Sequence, residues 1–196
     1  VGQRVKVRDI RQGVITVSGH DASVALAEHI SGDEKTFTTY MNQMASNLGL
    51  SNTNYSNSTG LPNDSLYTSA EDISILSRAL ISEFPKLYEL YSTKSFQFNE
   101  IKQYSRNKLL FIDDNVDGIK TGFTKAAGYC LASSAKRGDR RLIAVVMGAP
   151  TPDVRIQASR TLLEYGFRFF ETHTLFKPNT AISTARVYAV EETHVE

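Results

Sequence analysis

An α+β domain built as three layers, α/β/α, around an antiparallel sheet is the fold that the sequence predicts. Three strand-like runs, at 116–121, 129–135 and 142–147, follow one another across turns that are charged or contain glycine. Such links are too short for a parallel crossover, which takes about a dozen residues, so the runs pair as antiparallel neighbours. Segments of helical periodicity lie both before and after them, which supplies a covering layer for each face. A length of 196 residues, 41% hydrophobic and 22% charged, suits one domain together with the beginning of a second.

In chain order, the sequence opens at Val1-Gly2-Gln3 as an extended stretch of mixed charge. Residues 21–30 interleave small and apolar groups (Ala22, Val24, Ala25, Leu26, Ala27), which suits a short buried helix capped by Ser18 and Asp21. A second helix over about 33–48 places Phe37, Met41, Met44 and Leu48 on one face and stops at Gly49. Residues 51–63, rich in Asn, Ser, Gly and Pro, read as a surface loop. Thr68, with Glu71 three residues on, makes a capping box for a helix through Ile73, Leu76, Leu80 and Ile81 that closes before Pro85. Phe96, Phe98 and Ile101 alternate about Asn99-Glu100 as a hairpin, and Asp113-Asp114-Asn115 marks a turn. Behind the strands, Val154, Ala158, Leu162, Tyr165 and Phe169 recur at helical spacing within 153–170, the face expected to pack on the sheet. After Pro178 the run at 185–190 reads as a strand of a further unit.

Composition removes several classes of function. A net charge of +1 with acids and bases interspersed offers no basic stripe, so no nucleic-acid partner is expected. No apolar run nears the roughly 18 residues of a membrane span. The single cysteine, Cys130, lies in an apolar run and reads as a buried, inert thiol. Neither a metal-ligand cluster nor a phosphate-cradling glycine loop appears, so no metal and no cofactor is expected.

The strongest chemical signal is Val116-Asp117-Gly118-Ile119-Lys120-Thr121-Gly122-Phe123-Thr124, a strand that carries Lys-Thr-Gly. A lysine beside a hydroxyl on a strand edge grips a carboxylate, while Gly122 leaves room for a backbone or ring to approach. A solvated strand end is the plain alternative for such a tripeptide. Upstream, Val17-Ser18-Gly19-His20-Asp21-Ala22 puts a serine at the mouth of a helix, in the order used by serine acyl-transferases.

With these two motifs, the sequence resembles the low-molecular-mass D-alanyl-D-alanine carboxypeptidases of the penicillin-binding family. The likeness runs through Asn52-Thr53, Gly60-Leu61, Tyr67-Thr68-Ser69-Ala70-Glu71-Asp72 and Phe96-Gln97-Phe98-Asn99. It continues through Arg106-Asn107, Ala127-Gly128-Tyr129, Val146-Met147-Gly148 and 166–172. The resemblance implies a penicillin-binding/β-lactamase-like domain and a serine acyl-transfer site that releases a terminal D-alanine. Ser18 would relay protons beside Lys120, and Lys120 with Thr121 would hold the terminal carboxylate. Arg155 matches an arginine that approaches that carboxylate, and Arg106 another near the cleft; a helix-surface salt bridge is the alternative for Arg155. It also implies peptidoglycan stem peptides and β-lactam antibiotics as partners and a place on the outer face of the bacterial inner membrane, in the periplasm. Residues 1–176 would be the C-terminal part of the catalytic domain, and 177–196 a linker and first strand of a β-rich domain. Relatives attach to the membrane by a C-terminal amphipathic helix that the chain does not display.

Two substitutions depart from the family pattern. His20 stands where the family carries asparagine, and an imidazole does not reproduce an amide's paired donor and acceptor. A helix-start histidine without substrate contact is the alternative. Phe123 stands where relatives often carry histidine, which makes that wall more apolar. The third departure is the Ser-x-x-Lys nucleophile motif. Its formal matches, Ser105-Arg106-Asn107-Lys108 and Ser133-Ser134-Ala135-Lys136, lie in a loop and in a strand, where residues three apart face opposite ways. The N-terminal segment with the first strands and nucleophile helix is therefore expected to lie outside this chain and to act as its partner, leaving the chain alone inactive. A β-lactamase-like hydrolase and a non-catalytic peptidoglycan-binding module are the alternatives.

Overall fold

The computed structural model describes residues 2–177, 179–183, 185–186 and 194–195. Its first element corrects the expected extended opening: Val7–Val17 is a helix, α1. Five β-branched valines and isoleucines, an internal Gly13 and a first turn without a side-chain cap all weaken the local helical signal. Packing supplies what propensity lacks, because the Phe96 ring lies against Gly13, 3.8 Å from where a Cβ would sit.

Helix α2 (His20–Ser31) starts from Gly19, which makes no side-chain cap bond, so Ser18 is not its cap. Ser18 instead ends α1 in the left-handed region, at φ 59. Nor is α2 a buried helix: Ala27 is its one fully buried residue, and Ile30 is 57% exposed. In α3 (Glu34–Asn47) the Asp33 side chain caps Thr36 N–H at 2.8 Å. Thr38 and Ala45 form its buried line, whereas Met44 of the expected face is exposed. The cap of α4 (Ala70–Glu83) is also one residue from its expected place. Ser69 Oγ accepts from Asp72 N–H at 3.1 Å, while Thr68 Oγ1 is engaged 2.8 Å from Thr53 Oγ1.

Pro85 opens the short α5 (Pro85–Tyr88), continued by a 3-10 turn at Glu89–Ser92. The hairpin is as read: β1 (Ser95–Phe98) pairs with β2 (Ile101–Tyr104) across Asn99 and Glu100, both left-handed. A single turn, α6 (Leu109–Ile112), then leads to the main sheet of β3 (Val116–Thr124), β4 (Gly128–Arg137) and β5 (Arg140–Ala149). The sheet is antiparallel with β4 in the centre, which leaves β3 as an outer strand.

Alternation along β4 and β5 sends residues to two different cores. Leu131 and Ala135 with Leu142 and Ala144 meet Leu109, Leu110, Val116 and the last long helix, α7 (Pro152–Phe169). Ala132 with Ile143 and Val145 meets Ile73, Leu80 and Ile81 of α4. This is the α/β/α layering. The face that α7 turns inward differs from the one expected: Ile156, Ser159, Leu163 and Phe167 are buried, whereas Val154, Leu162, Tyr165 and Phe169 are exposed. Leu163 is 2% exposed, and its truncation to alanine would cost about 2–5 kcal/mol. Cys130 is only half-buried. Beyond α7, β6 (Ala185–Arg186) pairs antiparallel with β7 (His194–Val195); positions 187–190 of the expected strand lie outside the described residues.

Candidate active site

The site begins with the left-handed serine. Ser18 N–H closes on Val14 C=O at 3.1 Å and Gly19 N–H on Gly13 C=O at 3.2 Å, so the chain reverses sharply between α1 and α2. A residue with a Cβ in this region costs roughly 1–2 kcal/mol relative to the right-handed one. Glycine usually fills such an end. The strain is offset by position, because the reversal carries the Ser18 hydroxyl to the edge of β3.

There the Lys120 ammonium donates to Ser18 Oγ at 2.5 Å, a contact between residues 102 apart in sequence. A second N–H of Lys120 donates to Thr121 C=O at 3.0 Å. An ammonium has three donors, so one is left for a ligand. Burial pushes the Lys120 pKa down, and the positive charges of Arg106 and Arg155 push it further, to about 8. The ammonium is therefore poised: it is charged near neutrality, and among the described residues no carboxylate forms a salt bridge with it.

Ser18 and Lys120 open into a cleft of about 1050 Å³, and every residue singled out in the sequence lines it. His20, Arg106, Thr121, Gly122, Phe123 and Arg155 are all on its walls. Arg155 is 6% exposed, which rules out the helix-surface salt bridge. Its Nη1 donates to Cys130 C=O at 3.3 Å, its guanidinium lies 5.7 Å from the Tyr129 ring centre, and its Nε has no partner among the described residues. Gly122 meets no crowding: a Cβ there would lie 3.9 Å from Cys130 Cβ, an ordinary contact. Nothing around it in the fold demands glycine at that position. Phe123 stacks on Tyr129, its partner across β3 and β4, at 4.2 Å between ring centres.

Neither formal Ser-x-x-Lys match forms a nucleophile and base. Ser133 is fully buried and its Oγ donates to Ala144 C=O at 3.2 Å, while Lys136 is exposed. Ser105 Oγ accepts from Asn107 N–H at 3.2 Å.

Sequence reasoning missed one whole wall, the segment at 51–68, of which 51–63 reads only as a surface loop. Tyr55, Asn57, Asp64 and Tyr67 of that segment line the cleft. It is held by three distant side chains. Asn42 brackets Tyr55 with two hydrogen bonds of 2.8 Å, Glu34 accepts from Ser58 N–H and Oγ, and Asp72 accepts from Asn52 N–H and Thr53 Oγ1. Polar residues bonding across 13 to 24 positions leave no local signal. Also missed was a cluster at the root of β3. Arg141 binds both oxygens of Asp117, at 2.8 and 2.6 Å, and Asp117 also accepts from the Tyr88 hydroxyl.

Comparison with known proteins places this geometry. The sequence model of the D-alanyl-D-alanine carboxypeptidase family matches residues 1–151. The chain belongs to that family. Among its carboxypeptidases, DacC of Escherichia coli is 44% identical over 99% of this chain and 49% of its own length. DacA of Haemophilus influenzae is 46% identical over 98% and 50%. Penicillin binding protein 5 of Haemophilus influenzae superposes with a TM-score of 0.95 at 46% identity, covering 98% of this chain and 57% of that structure. Penicillin-binding protein D2 of Listeria monocytogenes, solved with ampicillin bound, gives 0.78 at 35% identity over 84% and 68%. The α+β penicillin-binding fold is therefore that of this chain. The chain spans about half the length of the carboxypeptidases it matches.

Proposed function

We propose that this cleft works in a serine D-alanyl-D-alanine carboxypeptidase, which removes the terminal D-alanine of peptidoglycan stem peptides and is acylated by penicillins. The observation that carries the reading is the 2.5 Å contact of Ser18 Oγ with the Lys120 ammonium, beside two further guanidinium groups. The free donor of Lys120, the Thr121 hydroxyl, Arg106 and Arg155 take the substrate's terminal carboxylate, which fixes the scissile amide in the cleft. A serine of a Ser-x-x-Lys helix outside these residues gives its hydroxyl proton to that motif's lysine as its oxygen attacks the carbonyl. As the C–N bond breaks, Ser18 gives its proton to the departing nitrogen and takes one from Lys120. Water then cleaves the ester. His20 and Phe123 shape the walls on either side. Without that outer serine, residues 1–196 bind but do not react.

The test is a mass-spectrometric map of the acyl adduct after the polypeptide carrying this chain meets a penicillin and a peptide ending in D-Ala-D-Ala. D-alanine release with the adduct on a Ser-x-x-Lys serine outside this chain is expected. An adduct on Ser105 or Ser133 would sink the placement. An adduct on Ser18 would turn the Ser18–Lys120 contact itself into the nucleophile and base. Slow release of the penicilloyl group accords with a carboxypeptidase, and rapid turnover with a β-lactamase.

The same reading makes residues 1–176 the C-terminal part of the catalytic domain and 177–196 a linker and the start of a β-rich unit, in which β6 pairs with β7 rather than standing as one strand. Because the proposed substrate lies outside the cytoplasmic membrane, it also places the protein in the periplasm. Among the described residues no helix is long and apolar enough to cross a membrane.

A further inference from the structure

Lys120 reaches Ser18 because β3 is irregular at its root. Val116 pairs with Ala135 of β4 and Gly118 with Ser134, so two steps of β3 answer one of β4 and Asp117 is left without a partner strand residue. The shift persists along the strand and sets Lys120 opposite Ala132, on the α4 side of the sheet. Without it Lys120 would stand opposite Leu131, whose side chain enters the α7 core. A slip of one residue exchanges the two faces of a strand, so this bulge decides which layer receives the ammonium. Resting on the acyl-transfer reading above, we propose that Tyr88 is a positioning residue, whose hydroxyl acts through Asp117 to hold the bulge that turns Lys120 toward Ser18.

Asp117 is gripped from two directions. Arg141 of β5 spans the sheet, donating to Ser134 Oγ of β4 at 2.6 Å and to both oxygens of Asp117 on β3. Those bonds all lie within the sheet. Tyr88 comes from outside it, on α5, and its hydroxyl donates to Asp117 Oδ1 at 2.8 Å. The fit around that bond is tight. Tyr88 is 5% exposed, its ring stacks on Tyr91 at 5.5 Å between centres, and a Cβ on Gly118 would come within 2.6 Å of the Tyr88 hydroxyl. Ile119, the next residue, is buried with Tyr88 and Ala132. Burial pushes the Tyr88 pKa up, so the phenol keeps the proton it donates. Since β4 pairs with β3 along one edge only, Tyr88 supplies a second point of attachment, which keeps the bulge from sliding along the strand.

The experiment uses the intact polypeptide in three forms: native, Tyr88→Phe, which deletes the hydroxyl and keeps the ring, and Leu163→Ala, which loosens the other core. D-alanine release is measured per folded molecule. The Lys120 ammonium is titrated by lysine ¹⁵N NMR, its signal assigned by its loss in Lys120→Met. Tyr88→Phe is expected to lower kcat/KM by about three- to tenfold at pH 7, through misplacement of the ammonium. In the same variant the Lys120 titration should move upward from about 8 toward 10.5, because a less firmly seated ammonium is better hydrated while Arg106 and Arg155 stand back from it. Leu163→Ala should leave both readings at their native values. A Lys120 titration unmoved in Tyr88→Phe, one moved equally by Leu163→Ala, or one moved with unaltered D-alanine release overturns the positioning role. If the native protein releases no D-alanine, the carboxypeptidase reading falls, and the titration alone still decides whether Tyr88 places Lys120.

Discussion

Two basic residues of the α/β lobe have opposite surroundings. Arg141, at the root of β3, is enclosed by partners: both oxygens of Asp117, Ser134 Oγ at 2.6 Å and the Tyr88 ring at 5.3 Å. The hydrogen bond it donates to Asp117 holds its pKa above the usual arginine value. Lys120, three residues after Asp117, has a hydroxyl and a carbonyl for partners and two like charges near it, and its pKa falls. A cation that the protein neutralises ties strands together. A cation that the protein leaves unneutralised is stored for an incoming anion, at some cost to the fold.

The widest separation between the two should come from Lys120→Met. In the intact polypeptide, loss of the proposed carboxylate grip and of the proposed proton source for Ser18 is expected to lower kcat/KM by about 10²–10³-fold. The same change should raise resistance to urea, by roughly 1–3 kcal/mol at pH 7, because it removes a buried charge. Arg141→Met should act in reverse, destabilising by about 1–3 kcal/mol, since Asp117 then lacks its cation; the side chains are 26% and 29% accessible, which moderates the loss. In the double variant with Asp117→Asn much of that loss should return, as urea denaturation would report. An Arg141→Met protein as stable as the native one would erase the contrast.

A pH titration sharpens the comparison with a smaller effect. With a pKa of about 8, Lys120 goes from about nine-tenths protonated at pH 7 to about one-tenth at pH 9. Inhibition by a carboxylate ligand should weaken up to about tenfold over that span. Stability linked to the same group runs the other way. Its folded pKa lies below the unfolded 10.5, so the folded state holds fewer protons between the two values. The penalty is complete below about 8 and relieved as pH rises toward 10.5. Parallel slopes for binding and stability would contradict the assignment.

The sheet and the cationic end of the cleft were legible in the sequence because their signals are local. Period-2 alternation in β4 and β5, Lys-Thr-Gly on one strand and Ser-Gly-His at one helix start are each read within a few residues. Other features were settled by distant partners. Thr68-x-x-Glu71 and Ser69-x-x-Asp72 are overlapping capping boxes, and the second wins because Thr68 bonds Thr53 while Asp72 holds Asn52 and Thr53. In α7, apolar residues occur on both faces, and the buried one includes Arg155 and Ser159, whose polarity disguised it. Ser159 Oγ is satisfied by Arg155 C=O at 2.9 Å. Helix α1 went unread because its propensity is poor and its support, the Phe96 ring, comes from a hairpin far along the chain.

The left-handed Ser18 sets a trap for anyone engineering this protein for heat tolerance. Glycine relieves the backbone there, so a screen that scores only survival on heating favours Ser18→Gly. Each such winner would have discarded the hydroxyl that meets Lys120. Libraries built on this chain should hold that codon fixed, or score turnover alongside melting.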